Sequence, residues 1–400
     1  MTDAMSPALR AAWDRYRECC EWARTYLFSS EPAQHLHTHG SAFALLLQNE
    51  AVTYEQVIST HSDFPRFYVS WEPLIHDGWK PCADFKYRHC WVDGRRSYRV
   101  WGRRGDTLFC DMQHRGSPML GGGAEGRPSN YNFDEWTNPD GSFEVMLSAG
   151  KPASGHWLPL DPSSHRNALM VREAFVDWEN DRGTEMHIEA IDDTPARPTM
   201  EDEATMIARV EEAIHKLTYV TKMYNDGIFL KTLKSCGDVP NVFAPLIHAA
   251  DSGAHMGAHY VAAIFDLQPD EALVFDFEIP KCRYWGVHLA NSVNRTVDYV
   301  YHQSSLNNAQ GRVDSDGRFR AVVADQDPGV PNWLDQVGAR RGIIQLRYYL
   351  SESGPVPNMV KVPVSQVRSV LPADTQVVTP AERKEQLRRR SHAALKRYGF

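Results

Sequence analysis

The chain has 400 residues, 42% hydrophobic and 24% charged, with a formal net charge of −8. That length accommodates two or three domains with proper cores, and the acidic balance gives no reason to expect nucleic acid as a partner. The sequence holds no apolar run long enough for a membrane span, and its first twenty residues lack the apolar stretch of a signal peptide. The seven cysteines include an adjacent pair and no CxxC, poor material for a disulfide framework or a zinc knuckle. Reduced thiols in a cytoplasmic protein are expected.

In chain order, Leu9, Trp13, Tyr16, Cys20 and Ala23 recur at three and four, which predicts an amphipathic N-terminal helix. A second helix is expected over Ser41 to Asn49. From about Asp84 the pattern turns to alternation with turn signals, including Asp93-Gly94 between two aromatic-containing runs. After a linker at Asp192 to Thr199, Met206, Val210, Ile214, Leu217 and Tyr224 trace one face of a long helix. That helix is expected to stop near Asn225-Asp226-Gly227. A second strand-rich segment follows, and the basic tail ERKEQLRRRSHAALKRYGF reads as a solvated or subunit-contacting helix. The expected domains are a helical region 1–80, a first β-rich repeat 81–190, a linker and long helix 191–240, a second β-rich repeat 241–365 and a basic tail 366–400.

The two strand-rich segments repeat each other. NPDGSFEVMLSAGKPASGHWLPLD and DSDGRFRAVVADQDPGVPNWLDQV share Asp-Gly, a following Phe, an alternating strand and Trp-Leu. Gly141 precedes Trp157, and Gly317 precedes Trp333, by the same interval. Arg172 and Arg347 follow on later strands, and Trp101-Gly102 answers Trp285-Gly286. These agreements predict an internal duplication. The fold class expected is α+β, mainly β: two antiparallel β-sandwich or jelly-roll-like units with N-terminal helices and a long connecting helix. Trp101 is expected over Trp285 and Trp157 over Trp333, the last two plugging a Pro/Gly loop into the sandwich.

The segment RYWGVHLANSVNRTVDYVYHQSSLNNAQGRVDSDGRFRAVVADQDPGVPNWLDQVGARRGIIQLRYY resembles a bacterial family known as domain of unknown function 1214. The resemblance is strongest over about residues 270–350. It implies a β-sandwich-like fold and transfers no chemistry.

Polar residues concentrate in Asn291 to Asn308 and in the loop from Asp327 to Gly338. An acid/base pair is expected from Asp298 or Asp327 with His302 or Tyr299. Arg347, Asn332, Trp333, Asp335, Arg295 and Asn307 are the expected substrate contacts. All of these would share one pocket, since a buried Arg347 needs acids and this loop supplies them. The alternative is a structural network in which Asp298 pairs with Arg295 or Arg347. His35, His37 and His39, and His255 with His259, raise a metal site. Gly253 and Gly257 and the absence of a Glu after His255 argue against one, and no metal is assigned. GGGAEG at 121–126 lacks a phosphate-loop Lys and reads as a flexible loop. The leading expectation is a cofactor-independent acid/base enzyme, a hydrolase or a lyase/isomerase, acting on a small, largely apolar substrate. The alternatives are a non-catalytic carbohydrate- or lipid-binding protein, or a structural subunit of a homo-oligomer.

Overall fold

The computed structural model describes residues 4–37, 39–72, 75–116, 129–192, 202–248 and 257–399. The chain is α+β with most of its strands in four sheets, N-terminal helices and a long central helix. In the first unit, strands Phe85–Val92, Asn167–Ala174, Phe109–Gly116 and Ser129–Asn132 lie side by side, with Tyr68–Ser70 added at the edge. Strands His156–Pro159, Ser142–Ser148, Tyr98–Arg103 and Glu185–Ala190 form the facing sheet. In the second unit, Ala258–Asp266, Arg341–Tyr349, Tyr284–Asn291 and Ser305–Asn307 form one sheet, with Ile247–His248 at its edge. Trp333–Asp335, Arg318–Ala324, Glu271–Glu278 and Asn358–Pro363 form the other. Strand for strand, the two orders are the same, so the duplication extends to topology.

The register confirms where the repeats align. Trp157 pairs with Met146, and Trp333 with Val322, each in a parallel bridge five residues after the turn glycine. Those glycines, Gly141 and Gly317, take φ of 85° and 80°, which a side chain would strain. Each indole donates to a carbonyl two residues further on: Trp157 Nε1 to Ser148 O at 3.1 Å, Trp333 Nε1 to Ala324 O at 2.9 Å. The Trp333 ring packs on the outer face of its sheet against Val330 and Val367, not into the sandwich as expected. Trp101 and Trp285 are not equivalent. Trp101 stands on the third strand of its unit, Trp285 on the fourth, so a recurring Trp-Gly dipeptide misaligned them. Trp285 is a core residue against Phe277 and Phe319, whereas Trp101 stacks on His187.

Alternation fills both cores. Phe143, Val145 and Leu147 meet Leu169 and Val171, while Phe319, Ala321 and Val323 meet Ile344 and Leu346. Each large side chain so buried stabilises by about 1.5–3 kcal/mol.

Helix Pro7–Ser29 starts on a Ser6 cap and buries Cys19, Ala23 and Leu27 against helices Gly40–Thr53 and Glu203–Val220. The last does not end the helical path. It passes through a π turn, Thr221–Gly227, into helix Ile228–Ser235, because Phe229 and Leu233 are buried on the second unit's sheet. Tertiary burial there overrides the local stop signal. The basic tail is a helix solvated on one face and packed on the other. Helix Pro380–Lys396, begun by a Thr379–Glu382 capping box, fastens both units. Arg383 pairs with Asp327 at 2.9 Å, and Arg390 donates to Tyr299 O at 2.7 Å while covering the first unit's Trp178.

None of the seven cysteines is bonded to another. Among the described residues, no helix is long and apolar enough to cross a membrane.

Asp84 ties the units at their contact. It is 2% exposed and accepts from Tyr284 Oη at 2.6 Å, Trp178 Nε1 at 2.7 Å and Asn307 Nδ2 at 2.7 Å. Asp84→Ala would orphan three buried donors, each costing about 1–3 kcal/mol. We expect a loss of about 3 kcal/mol or more in urea unfolding; a loss below about 1 kcal/mol would show that this network does not hold the units together.

Candidate functional site

Alternation leaves each central sheet with a second face outside its core. At one end of these faces the units touch: Phe85 lies 5.4 Å from Tyr284 and 5.2 Å from Tyr349 between ring centroids, and Phe109 stacks on Tyr349 at 5.4 Å. At the other end the helices cover them, with Val57 and Ala213 over Trp91 and Ala168, and Phe229 and Leu233 over Ile264 and Ile343. Between contact and helices lies a cavity of about 370 Å³, within the size range of small-molecule sites. Tyr87, His89, Met170 and Arg172 face it from the first unit, and Tyr260, Ala262, Gln345 and Arg347 from the second.

The repeat makes the lining quasi-symmetric. Arg172 stands opposite Tyr87 in the sheet register, and Arg347 opposite Tyr260. On the other flank the symmetry breaks: Arg172 has Asp111 as its neighbour, while Arg347 has Gly286. That glycine has a steric cause, since a Cβ there would come within 2.2 Å of Tyr284 Oη. Arg347 therefore has no acid opposite it in the register; the Asp84 carboxylate, 3.2 Å from that Cβ position, is taken up by Tyr284, Trp178 and Asn307. The Arg347 guanidinium covers the Tyr260 ring at 5.3 Å and donates to Lys80 O at 3.2 Å, and its Nε has no hydrogen-bond partner.

Four cations line the cavity, Lys80, Arg172, Lys231 and Arg347, and no Asp or Glu is among the described lining residues. Gln113, 1% exposed, has both amide atoms without a partner, as has Arg172 Nη1. Lys80 Nζ donates to Gln345 Oε1 at 2.7 Å. Burial first, and the Arg347 charge second, bring its pKa down to about 7. Burial first, and the Arg347 and Lys80 charges after it, hold His288 well below the usual imidazole range. The walls are aromatic: Trp71 meets Trp79, Tyr87 and His89 edge-on at 5.6, 5.1 and 4.8 Å. Trp71, Trp79 and Lys80 all take positive φ, of 56°, 68° and 56°. Such backbone costs about 1–3 kcal/mol per residue and persists only where the surroundings fix it. Here Trp79 is held by its bond to Asn49 at 2.9 Å and by stacking on Tyr224.

Of the site residues chosen from sequence, the structure brings only Arg347 to this cavity. Asp298 caps its own turn, accepting from the Val300 and Tyr301 amides. Tyr299 is buried against Trp178. His302 Nδ1 lies 2.8 Å from Asp335 Oδ2, not beside Asp298 or Asp327. Asp327 belongs to Arg383, and Arg295 makes a two-pronged pair with Asp77. Asn332 bridges the backbone of Arg312 and Arg320, Trp333 is bonded to Ala324 O, and Asn307 is bonded to Asp84. The expected common pocket of the Asp327–Asp335 loop with Arg347 is therefore corrected: Arg347 finds its surroundings across the unit interface. Sequence reasoning missed Lys80, Tyr87, His89 and Tyr260. The available signal was NALMVREA and GIIQLRYY, strands bulky on both faces with one Arg each, which fits strands covered on both sides. Among the described residues, no group of His, Cys, Asp and Glu could hold a metal. His255 and the glycine-rich run 121–126 lie outside the described residues.

Fold and site together define an α+β protein of two repeated β-rich units with a cavity between those units and the helices. An uncharacterised protein of solved structure from Burkholderia cenocepacia shares this fold: TM-score 0.79, 25% identity, 89% of this chain and 98% of that one covered. A Vibrio parahaemolyticus protein aligns at TM-score 0.45 and 13% identity, over 87% of this chain and 100% of its own. No family model matches the chain, and no curated protein matches it.

Lys80 gives a pH prediction. The unfolded lysine binds its proton below about 10.4, the folded one only below about 7. Between those values the unfolded state holds more protons, so stability rises with pH. Lys80→Met removes that slope, and its stability relative to wild type should fall as pH is raised from about 7 to about 10. A difference independent of pH in urea unfolding would refute the assignment.

Proposed function

We propose that the cavity between the units binds a small molecule with an anionic group and an apolar body of aromatic size. The observation that carries this reading is the lining itself, with four cations and no carboxylate. Lys231 is exposed and Arg172 has Asp111 alongside, so the costly pair is Lys80 with Arg347, like charges drawn from water without a counter-charge; a ligand carboxylate or phosphate would supply it. Arg347 and Lys80 are the principal contacts, because Gly286 leaves Arg347 without the acid that Arg172 has opposite it in the register. Trp71, Trp79 and Tyr87 take the apolar body. The acid/base enzyme expected from the sequence moves with this reading to the cavity, with Lys80 and His89 in place of Asp298 and His302. A neutral sugar fits less well, since no carboxylate among the described lining residues accepts its hydroxyls. Two further expectations belong to the proposal: a cytoplasmic location, which seven free thiols support, and kinship with the domain of unknown function 1214 family, which the Asp-Pro-Gly and Asn-Trp-Leu-Asp motifs support.

The test is tryptophan fluorescence titration with 3-phenylpropionate and its neutral amide. The carboxylate should bind at least about tenfold more tightly, the scale of one charged hydrogen bond. Arg347→Gln should remove that preference, and Arg172→Gln should weaken it less. Equal binding of acid and amide by wild type would contradict the proposal.

A further inference from the structure

Lys80 is placed unlike an ordinary buried lysine. Its neighbours in the cavity are a neutral amide, Gln345, and a second cation, Arg347. Two other lysines are engaged differently: Lys86 Nζ donates to Arg397 O at 2.8 Å, away from the cavity, and Lys216 Nζ donates to Gln56 Oε1 at 2.6 Å beside the Trp79 ring, both of these being lining residues. The Lys80 main chain is fixed from both sides. Its carbonyl accepts from Arg347, its amide donates to Asn294 O at 3.0 Å, and it sits in a left-handed pair with Trp79. The side chain is thus held at the cavity by strained but well-anchored backbone.

An amine desolvated beside another cation is partly neutral near pH 7, and a neutral amine has a free lone pair. The pKa of about 7 agrees with what the surroundings imply. Gln345 accepts one N–H and leaves the lone pair unopposed, since an amide oxygen cannot donate. Arg347, on the same sheet face, is where a ligand carboxylate would rest. A carbonyl carbon next to that carboxylate would then lie toward Nζ.

We propose that Lys80 Nζ is a nucleophile that forms an imine with the carbonyl of a small 2-oxo acid held by Arg347 in this cavity. The inference rests on the anion-binding reading above and adds the carbonyl to it. In the first step the amine lone pair forms a C–N bond, the C=O π pair moves to oxygen, and one N–H proton passes from nitrogen to that oxygen. The nitrogen lone pair of the carbinolamine then expels the hydroxyl, which leaves as water with the second N–H proton, and a C=N bond remains. One water is released per lysine joined, and no oxidant or reductant takes part. Buried His288, on the same sheet face opposite Gln345 in the register, has Nε2 without a partner.

The test is reductive trapping on the whole chain. Wild-type protein is incubated with phenylpyruvate and cyanoborohydride near pH 7, digested and mapped by mass spectrometry. Binding of 3-phenylpropionate, which keeps the carboxylate and ring but lacks the carbonyl, is measured in parallel. The expected result is one dominant adduct on the Lys80 peptide, suppressed by excess 3-phenylpropionate and absent from Lys80→Arg. If 3-phenylpropionate binds but adducts are absent or scattered over surface lysines, the imine is refuted while the anion site stands. If neither compound binds, both this inference and the cavity reading are overturned. Because the primary readout uses wild type, an unfolded variant would not blunt the test.

Discussion

The constraint from which the rest follows is the second face of each central sheet. A strand such as Arg341–Tyr349 sends Ile344, Leu346 and Tyr348 into its own sandwich and still carries Ile343, Gln345, Arg347 and Tyr349 on the other side. That other face must be covered. The two repeats cover each other at the Phe85, Phe109, Tyr284 and Tyr349 contact, and the helices cover the remainder. Aromatic rings pack at one end and helices at the other, so the middle of both faces is closed off without being filled. The cavity is a consequence of how a duplicated sheet buries its surplus surface.

The same constraint gives the other large features a common purpose. The N-terminal helices and the bend at Thr221–Gly227 bring apolar side chains onto the exposed ends of the sheets. The C-terminal helix closes the opposite flank, where Arg390 and Arg397 stack on Trp178 of the first unit while Arg383 holds the Asp327 loop of the second. Three of the tail's cations, Arg383, Arg390 and Arg397, thus act as clasps between elements. The cations of the cavity differ: Lys80, Arg172 and Arg347 are partly buried, Lys231 is exposed, and no acid is among the described residues lining the space.

The duplication was legible in the sequence because turn chemistry repeats faithfully. Asp-Gly, the Phe two residues later and the distant Trp each sit at a place fixed by backbone geometry, and the parallel bridges of Trp157 and Trp333 agree residue for residue. The Trp-Gly dipeptides misled because two residues on a strand carry no information about which strand it is. The site was misread for a related reason. Asp298, Asp327, Asn332 and Asp335 look like a reactive cluster in one dimension, yet each is taken up by a turn amide, a backbone bridge or a tail arginine. Residues that face the cavity come from segments more than two hundred positions apart, such as Lys80 and Arg347, and only pairing of sheets brings them together. The one chosen residue that does line the cavity, Arg347, was picked from physics local to its strand. The anion source was assumed to be the nearest loop, whereas no Asp or Glu is among the described residues lining the cavity.

The most direct measurement of this account is a crystal structure of the protein soaked with 3-phenylpropionate. The account predicts the ring among Trp71, Trp79 and Tyr87, with the carboxylate on the Arg347 guanidinium. A ligand found only at the surface, or bound at the His302–Asp335 pair with the cavity empty, would contradict it.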